Sequence, residues 1–495
     1  MILPKINLKI IGTAGTGKTT RLLQEIQRRH GDQLDDVTYI TFNRAAAAEA
    51  RKRLGISKRE AWVGTIHSIF TRLLHYYEIS DFVERFRATM RDGGIEQIKV
   101  RFFRSIGVEY DPEDREGETL GKRADYIKTR ILLSGDPRRE MDLLTDSFPQ
   151  EVEVARQLLE YLEENGYVDY DHAVAYVYKE RVPFATSAVY VDEAQDLSPL
   201  EYNIIARHHG FVAMAGDYLQ AIYLFRGARP ELFLNTPAEE IIELDKTYRL
   251  PQNIWDFAVD SFYSHLGVRV PHVRSVRSEN GEIQLLDSFV IDVAMEHAIR
   301  EADTGRTVFF LTRTNEMARK LRYRFVEQFS VLPNVFKDIA KYRRAFGFVE
   351  AVKALKVRSV FPYMQKYLGE YIDKQHIQLV LHGLLDPLLL FDREKFVGDL
   401  GGGGFSARVL EALENERLRA LRNLYVDTMH SVKGAECDSV YVLDDLPNSV
   451  WSRIMDADTL HSEAMLYGVA ATRGRQKLVI IRGSQSLLNY LGVSV

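Results

Sequence analysis

The sequence is poor in the features that mark secreted or membrane-bound proteins. It contains a single cysteine, Cys437, which excludes an internal disulfide and argues against a cysteine-based metal site. No apolar run approaches the roughly 18–20 residues that a membrane-spanning helix needs. The first residues lack the charged and apolar blocks of a signal peptide. We therefore expect a protein of a reducing cytoplasm with no membrane partner.

An excess of charge of one sign is also missing. The chain has 65 basic and 70 acidic residues and a net charge of −5, so no overall basic field points to nucleic acid. A local basic groove is enough to bind a strand, and net charge averages such a groove away. Apolar residues form 46% of the 495 residues, which is enough for several packed domains. Composition therefore leaves nucleic-acid binding open.

What the sequence does contain is a complete phosphate-binding motif. Gly12, four further residues and the run Gly17-Lys18-Thr19 match the P-loop pattern, between an apolar strand and a helical segment. In this order backbone N–H groups and the helix dipole can bind phosphate oxygens. Lys18 then pairs with the β- and γ-phosphates, and the Thr19 hydroxyl binds Mg²⁺. The predicted site comprises Gly12, Thr13, Ala14, Gly15, Thr16, Gly17, Lys18, Thr19 and Thr20. A glycine-rich turn without nucleotide is the alternative.

Two adjacent carboxylates follow a second predicted strand. Residues 188–191 are rich in β-formers, and Asp192 and Glu193 come directly after them. The carboxyl ends of parallel strands meet at one edge of a sheet, so we expect both side chains to face the P-loop. Asp192 can hold Mg²⁺ through its water shell, and Glu193 can orient and deprotonate an attacking water. A solvated turn is the alternative.

Polar and aromatic residues follow three more predicted strands. They are Phe42 and Arg44 in the turn where the strand of residues 37–42 ends, Thr65 and His67 where a strand within residues 62–69 ends, and Gln220, Tyr223, Phe225 and Arg226 after residues 211–215. Gln220 can sense a γ-phosphate. Tyr223 and Phe225 beside a basic residue suit base stacking, which is worth about 1–3 kcal/mol per base. For His67 and the two aromatics, a capping or core role is the alternative.

The order of strands and helices predicts an α/β fold of two parallel-sheet domains. The first sheet domain takes residues 1–70 and 181–236, and the second takes residues 237–334 and 421–495. Residues 71–180 and 335–420 are predicted to be helical insertions. The second insertion contains a glycine run at 401–404, which we interpret as a flexible linker.

Taken in order, these blocks resemble superfamily 1 helicases of the UvrD/Rep/PcrA type. The most specific blocks are residues 192–196, 216–228, 248–249, 428–436 and 469–473. The resemblance implies two RecA-like P-loop domains, each with a helical insertion subdomain, and one ATP with Mg²⁺ in the cleft between them. It implies a DNA helicase or single-stranded DNA translocase that moves 3′ to 5′, in DNA replication or repair.

The same resemblance implies partners and a location. The partners are single-stranded DNA and junctions of single-stranded with duplex DNA, and we expect a monomer in the cytoplasm of a bacterial or bacteriophage-infected cell. Protein partners stay open. Since the chain ends shortly after its last predicted core strand, we expect no nuclease domain or long partner-binding tail.

The resemblance also implies roles for single residues. Glu193 is the catalytic base, Gln220 reports the γ-phosphate, and Arg249 and Arg473 act as arginine fingers from the second domain. Lys18 binds phosphate. Two residues contact other parts of ATP: Tyr248 packs by the base and Glu436 meets the sugar or phosphates. The residues implied to meet DNA are Phe42, Arg44, Thr65, His67, Tyr223, Phe225, Arg226 and His430.

Some features depart from the family pattern. No glutamine precedes Gly12, where the family carries an adenine-recognition segment, so adenine specificity stays open. The block at Phe42 is one residue shorter than usual, and Gly468 stands where an aromatic is common. Three other functions also stay open. They are a translocase that strips proteins or needs a partner to unwind, a nucleotide-regulated binding module, and an enzyme of RNA, since nothing here reads a 2′-hydroxyl.

Overall fold

The computed structural model describes residues 4–56, 62–112, 119–145, 148–336, 340–356, 362–381, 385–400 and 403–493. The chain forms two compact units. The first comprises Met1–Gln252, Phe262–Glu279 and His461–Gly468, and the second comprises Asn253–Ser261, Asn280–Leu460 and Val469–Val495. Within the described ranges no helix combines the length and the apolar character needed to cross a membrane.

A six-stranded parallel sheet lies at the centre of the first unit. Its strands are β1 (Ile6–Gly12), β2 (Val37–Thr41), β3 (Trp62–Thr65), β4 (Ala188–Val191), β5 (Phe211–Gly216) and β6 (Ala238–Leu244), in the spatial order β3-β2-β4-β5-β1-β6. Side chains alternate between two apolar layers. Tyr39 and Tyr190 belong to one layer, and Ile40 and Val191 belong to the other. Both faces are therefore buried, which explains why the inner strands are almost continuously apolar.

Helices cover both faces of this sheet and form the first insertion. They are α1 (Lys18–His30), α2 (Arg44–Leu54), α3 (Ile66–Tyr76), α4 (Ser80–Arg91), α5 (Ile95–Ser105), α6 (Leu120–Leu133), α7 (Pro137–Thr145), α8 (Pro149–Glu164), α9 (Tyr170–Lys179), α10 (Pro199–Ala206) and α11 (Pro230–Asn235). Phe103, Ile131 and Leu158 join α5, α6 and α8 in a separate apolar core. A capping box of Ser198 and Glu201 begins α10. A short parallel pair, β7 (Lys246–Thr247) and β8 (Arg274–Ser275), follows the sheet.

The second unit is built around another six-stranded parallel sheet. Its strands are β9 (Glu282–Asp287), β10 (Val308–Thr312), β11 (Val331–Asn334), β12 (Arg419–Thr428), β13 (Cys437–Asp444) and β14 (Gly474–Arg482), in the order β11-β12-β10-β13-β14-β9. The remaining helices are α12 (Gln252–Ser261), α13 (Ile291–Asp303), α14 (Asn315–Phe329), α15 (Ala340–Lys356), α16 (Pro362–Tyr371), α17 (Lys374–Leu381), α18 (Pro387–Leu390), α19 (Arg393–Asp399), α20 (Gly403–Glu414), α21 (Asn448–Trp451), α22 (Ala457–Ala471) and α23 (Leu487–Tyr490). The predicted fold class, two RecA-like parallel sheets with helical insertions, is confirmed.

The predicted start of the second sheet domain at residue 237 is wrong for one strand. β6 pairs with β1 along the whole of its length, from Ile6 opposite Ala238 to Gly12 opposite Leu244. It is therefore the edge strand of the first sheet. The other domain limits stay predictions. Of the predicted glycine linker, residues 401 and 402 lie outside the described residues, and α20 begins at Gly403.

Candidate nucleotide-binding site

The P-loop motif connects the carboxyl end of β1 to the first turn of α1. Gly17 precedes α1 with a φ of 85°, a left-handed conformation that favours glycine, and it has no side chain with which to cap the helix. The first turn of α1 contains no acidic residue. Its backbone N–H groups and dipole therefore suit an anion. Lys18 Nζ donates to the carbonyl of Thr13 at 3.0 Å and lies 3.7 Å from Asp217 Oδ2.

The segment after β6 packs directly on this loop. The Thr247 hydroxyl donates to the Ala14 carbonyl at 2.9 Å, and the Tyr248 N–H donates to the Gly15 carbonyl at 2.9 Å. The Tyr248 side chain is 66% exposed. The structure thus groups Arg249 with the P-loop in the first unit. The expectation that Arg249 comes from the second domain is wrong, because these two hydrogen bonds fasten its neighbours to the loop.

Asp192 and Thr19 form a compact set of oxygen atoms beside the loop. Thr19 Oγ1 donates to Asp192 Oδ2 at 2.6 Å, and Asp192 is only 2% exposed. Burial, together with the charge of the adjacent Glu193, raises the pKa of Asp192 to about 6. A carboxylate and a hydroxyl at hydrogen-bond distance are the ligand types that Mg²⁺ prefers, and a cation would offset the buried charge. The residues present therefore fit the predicted ion.

A chain of hydrogen bonds connects the ends of β4 and β5. Gln195 Nε2 donates to Glu193 Oε2 at 2.6 Å, and Gln195 Oε1 accepts the backbone N–H of Asp217 at 2.8 Å. Gln220 Nε2 donates to Asp217 Oδ2 at 2.5 Å. Burial raises the pKa of Asp217, and Lys18 acts in the opposite direction. The candidate base, the candidate sensor and the P-loop lysine are thus joined through Asp217.

The predicted site residues of the second unit lie in the connections between its helices and strands. Arg473 follows α22 and is 1% exposed, with its guanidinium donating to the carbonyls of Val469 at 2.8 Å and Ala435 at 3.3 Å. Glu436 is exposed and accepts from Arg475 at 3.3 Å. His430 lies in a 3₁₀ helix, Met429–Val432, that follows β12. Their roles stay predictions.

The residues predicted to meet DNA occupy several places in the first unit. Phe42 is partly buried against the core, Arg44 is exposed at the start of α2, and Thr65 precedes α3. His67 lies within α3 rather than at the strand end, and its Nε2 is 3.4 Å from Asp171 Oδ1. The roles of these residues stay predictions.

Tyr223, Phe225 and Arg226 lie around a second 3₁₀ helix, Leu224–Arg226. The Tyr223 and Phe225 rings are 6.2 Å apart, and Phe225 is 4.9 Å from Tyr126 on α6. Arg226 is exposed. The Tyr223 and Phe225 side chains are partly exposed, which is compatible with stacking on a base. Their role in binding DNA stays a prediction.

Three residues of the site escape the sequence prediction. Asp217 directly follows β5 at the same sheet edge as Asp192, so its position could have revealed it. Gln195 is visible only as one polar residue after β4. Tyr39, whose hydroxyl donates to Asp192 at 3.0 Å, is a tyrosine inside an apolar strand and gives no signal in the sequence.

The fold and this site define a P-loop protein with two RecA-like units. A family model described as the UvrD/REP helicase N-terminal domain matches residues 2–239, and one described as the UvrD-like helicase C-terminal domain matches residues 406–485. The chain belongs to the UvrD-like helicases of superfamily 1.

Curated relatives agree with this family at modest identity. DNA helicase II of Escherichia coli K12 is 26% identical over 275 residues, which cover 51% of this chain and 37% of the relative. ATP-dependent DNA helicase PcrA of Leuconostoc citreum is 27% identical over 308 residues, which cover 56% of this chain and 39% of the relative. UvrD1 of Mycobacterium tuberculosis H37Rv is 26% identical over 374 residues, which cover 63% of this chain and 46% of the relative. The chain thus matches less than half the length of each.

Gly15→Ala tests the contact between the P-loop and the segment at Thr247. Gly15 has a φ of +73°, and an added Cβ would clash with the Cβ of Arg249 and lie 2.8 Å from Thr247 Oγ1. Gly17→Ala is the matched control, because its φ is +85° but an added Cβ meets nothing within 4 Å. The left-handed conformation costs both variants roughly 1–2 kcal/mol. We expect a larger loss of thermal stability for Gly15→Ala, and equal losses would contradict the packing described.

Asp192→Asn tests the buried charge. The pKa of Asp192 is about 6 in the folded chain and ordinarily 3.8, so between these values the folded state holds a proton that the unfolded state has lost. Wild-type stability therefore falls as pH rises through this window. Without metal and nucleotide, we expect Asp192→Asn to be more stable than wild type at pH 8, by about 2–3 kcal/mol. The gain should vanish near pH 4, and a gain independent of pH in urea unfolding would contradict it.

Proposed function

We propose that this protein is an ATP-dependent motor on single-stranded DNA that couples hydrolysis to strand movement and duplex unwinding. One observation carries the proposal. A single short segment runs from Asp217, which contacts Lys18, through Gln220 to the aromatic pair Tyr223 and Phe225. The phosphate-binding residues and a candidate base-stacking surface therefore share one stretch of chain. The names of the relatives, which are DNA helicases, agree with it.

The chemistry of hydrolysis follows from the first unit. Lys18 and the N-terminus of α1 bind the phosphates of ATP. Thr19 and Asp192 would hold Mg²⁺, which neutralises charge on the β- and γ-phosphates. Glu193, oriented by the Gln195 amide, takes the proton of the attacking water. Arg249 lies beside the loop and supplies positive charge to the transferred phosphoryl group.

Further roles rest on the family resemblance alone. Tyr248 packs on the base, and Arg473 and Glu436 of the second unit contribute to binding and hydrolysis. The DNA-contacting residues named from the sequence, the 3′ to 5′ direction and the preference for junctions belong to the same proposal. So do the monomeric state and a place in the cytoplasm of a bacterial or bacteriophage-infected cell.

Gln220 offers a route from hydrolysis to the strand. Its amide bonds to Asp217 at 2.5 Å, at the start of the segment that ends in Phe225. A γ-phosphate would compete with Asp217 for the Gln220 amide. When hydrolysis removes the γ-phosphate, the amide would be free to bond to Asp217 again. We propose that this exchange alters the grip of the aromatic pair on a base, since a short, hydrogen-bonded segment transmits small displacements.

The deciding experiment measures steady-state ATP hydrolysis without polymer and with single-stranded DNA, duplex DNA or single-stranded RNA, at two salt concentrations. Strong stimulation by single-stranded DNA that weakens with salt supports the proposal. An unwinding assay on duplexes with 3′ or 5′ tails then separates a helicase from a translocase that only strips proteins. Equal rates with every polymer would overturn the motor in favour of a nucleotide-regulated or partner-dependent protein.

Lys18→Ala should reduce ATP turnover at least about a hundredfold, because the phosphates lose their main positive partner. Lys52→Ala, which removes an exposed lysine of α2, is the control and should leave turnover unchanged. Both variants are compared with wild type by phosphate release at saturating ATP. Wild-type turnover in Lys18→Ala would contradict the P-loop assignment.

Phe225→Ala should weaken stimulation by single-stranded DNA more than it changes the rate without polymer. Loss of one stacked base is worth about 1–3 kcal/mol, so the DNA concentration for half-maximal stimulation should rise roughly 5- to 150-fold. Phe289→Ala is the control, since Phe289 is 84% exposed on the second unit. Unchanged stimulation in Phe225→Ala would instead give this ring a packing role against Tyr126.

A further inference from the structure

The carboxylate of Asp192 is held from two different elements. Thr19 Oγ1 of α1 donates to Oδ2 at 2.6 Å, and the Tyr39 hydroxyl of β2 donates to the same oxygen at 3.0 Å. The other oxygen, Oδ1, accepts the backbone N–H of Glu193 at 3.1 Å. Three donors thus fix both the position of the carboxylate and the rotation of its plane.

Of these donors, only Tyr39 comes from the interior of the sheet. Tyr39 is 0% exposed, and its ring lies in the apolar layer that includes Leu22 and Ile26 of α1. The same strand also holds the backbone of Asp192, whose N–H donates to the Ile40 carbonyl at 2.8 Å. β2 therefore fixes Asp192 through its main chain and its side chain together.

Thr19 cannot provide the same constraint during nucleotide binding. It belongs to the loop–helix junction that receives the phosphates, and its oxygen is itself a proposed ligand of the cation. A buried phenol in a close-packed layer keeps its place, because interiors of proteins have little free volume. The Tyr39 hydroxyl is thus the donor to Oδ2 that does not depend on the occupancy of the loop.

We propose that Tyr39 is a positioning residue of the cation site, whose hydroxyl orients the Asp192 carboxylate toward the cation bound with nucleotide at Thr19. The proposal rests on the proposed function, since it needs a nucleotide in the P-loop. Partners that orient a metal-binding side chain commonly contribute 10- to 100-fold to metal affinity. Removal of the hydroxyl alone should therefore weaken cation binding and leave the phosphate contacts in place.

The chain provides a closely matched control in Tyr190. It lies opposite Tyr39 in the pairing of β2 with β4, is 0% exposed and belongs to the same apolar layer. Its hydroxyl bonds to His30 Nε2 at 3.0 Å, at the far end of α1 from the P-loop. Tyr190→Phe therefore removes a buried, hydrogen-bonded hydroxyl from the same sheet without changing the surroundings of Asp192.

The test follows thermal unfolding of the full chain with saturating ADP while MgCl₂ is titrated. For Tyr39→Phe we expect the stabilisation by ADP in EDTA to equal that of wild type. The Mg²⁺ concentration that gives half of the additional stabilisation should rise about tenfold. Tyr190→Phe should keep the wild-type Mg²⁺ dependence. In parallel, ATP turnover of Tyr39→Phe should recover toward wild type at high Mg²⁺.

The outcomes separate the two proposals. If Tyr39→Phe is merely less stable, with the same Mg²⁺ midpoint as wild type and Tyr190→Phe, the positioning role is overturned and the hydroxyl serves packing alone. An equal rise of the Mg²⁺ midpoint in both variants overturns it too, because the effect would then come from the sheet. If wild type itself shows no stabilisation by ADP with or without MgCl₂, the proposed nucleotide site fails first.

Discussion

Two buried carboxylates at the edge of one sheet determine which groups must surround the candidate site of the first unit. Asp192 and Asp217 follow the neighbouring strands β4 and β5, and each is 2% exposed. A buried charge costs several kcal/mol unless charged or hydrogen-bonding groups compensate it. The sheet edge supplies Lys18 and Gln220 to Asp217, and the hydroxyls of α1 and β2 to Asp192. These partners offset only part of the cost, because burial still raises the pKa of both carboxyl groups above the ordinary value.

The segment that begins at Asp217 also connects the candidate nucleotide site to the helical insertion. The segment that begins at Asp217 continues to Gly227, whose φ is +93°. A Cβ added at Gly227 would be in ordinary van der Waals contact with Arg130 of α6, 3.4 Å from its Cγ. Phe225, two residues earlier, packs against Tyr126 of the same helix. The hydrogen bonds at one end of this segment and the ring contacts at the other leave it little freedom. The segment therefore forms a continuous series of contacts from Asp217 to the aromatic pair and to α6.

The sequence is sufficient to predict those site residues that directly follow a parallel strand. Parallel strands bring their carboxyl ends to one edge, so Lys18, Asp192 and Glu193 could be placed together without coordinates. The pairing of β6 with β1 is not predictable in this way, because edge strands are half exposed and the polar residues Glu239, Glu240 and Glu243 leave no apolar pattern that indicates it. Such a pattern carries no information about which sheet it joins.

Side chains that act across strands are harder to predict. Tyr39 resembles any core tyrosine, because its hydroxyl bond is formed to a residue 153 positions away. The amide of Gln195 bridges Glu193 and the backbone of Asp217, a role that depends on the spacing of β4 and β5 rather than on any local pattern. These contacts arise only from the folded sheet, and they are also the ones that orient the candidate catalytic groups.

The backbone at Glu193 has a strained conformation that folding of the sheet does not require. Five non-glycine residues of the described chain have positive φ: Glu78, Arg181, Glu193, Ser330 and Glu416. Four of them follow helices, where a left-handed residue commonly ends the helix. Glu193 instead follows a strand, at a φ of 60°, and this conformation costs of order 1–3 kcal/mol. Such strain persists only where surrounding contacts hold the residue, as Gln195 and the turn from the Glu193 carbonyl to the Asp196 N–H do here. A glycine would remove the strain but also the carboxylate, so the cost belongs to the proposed chemistry and not to the sheet.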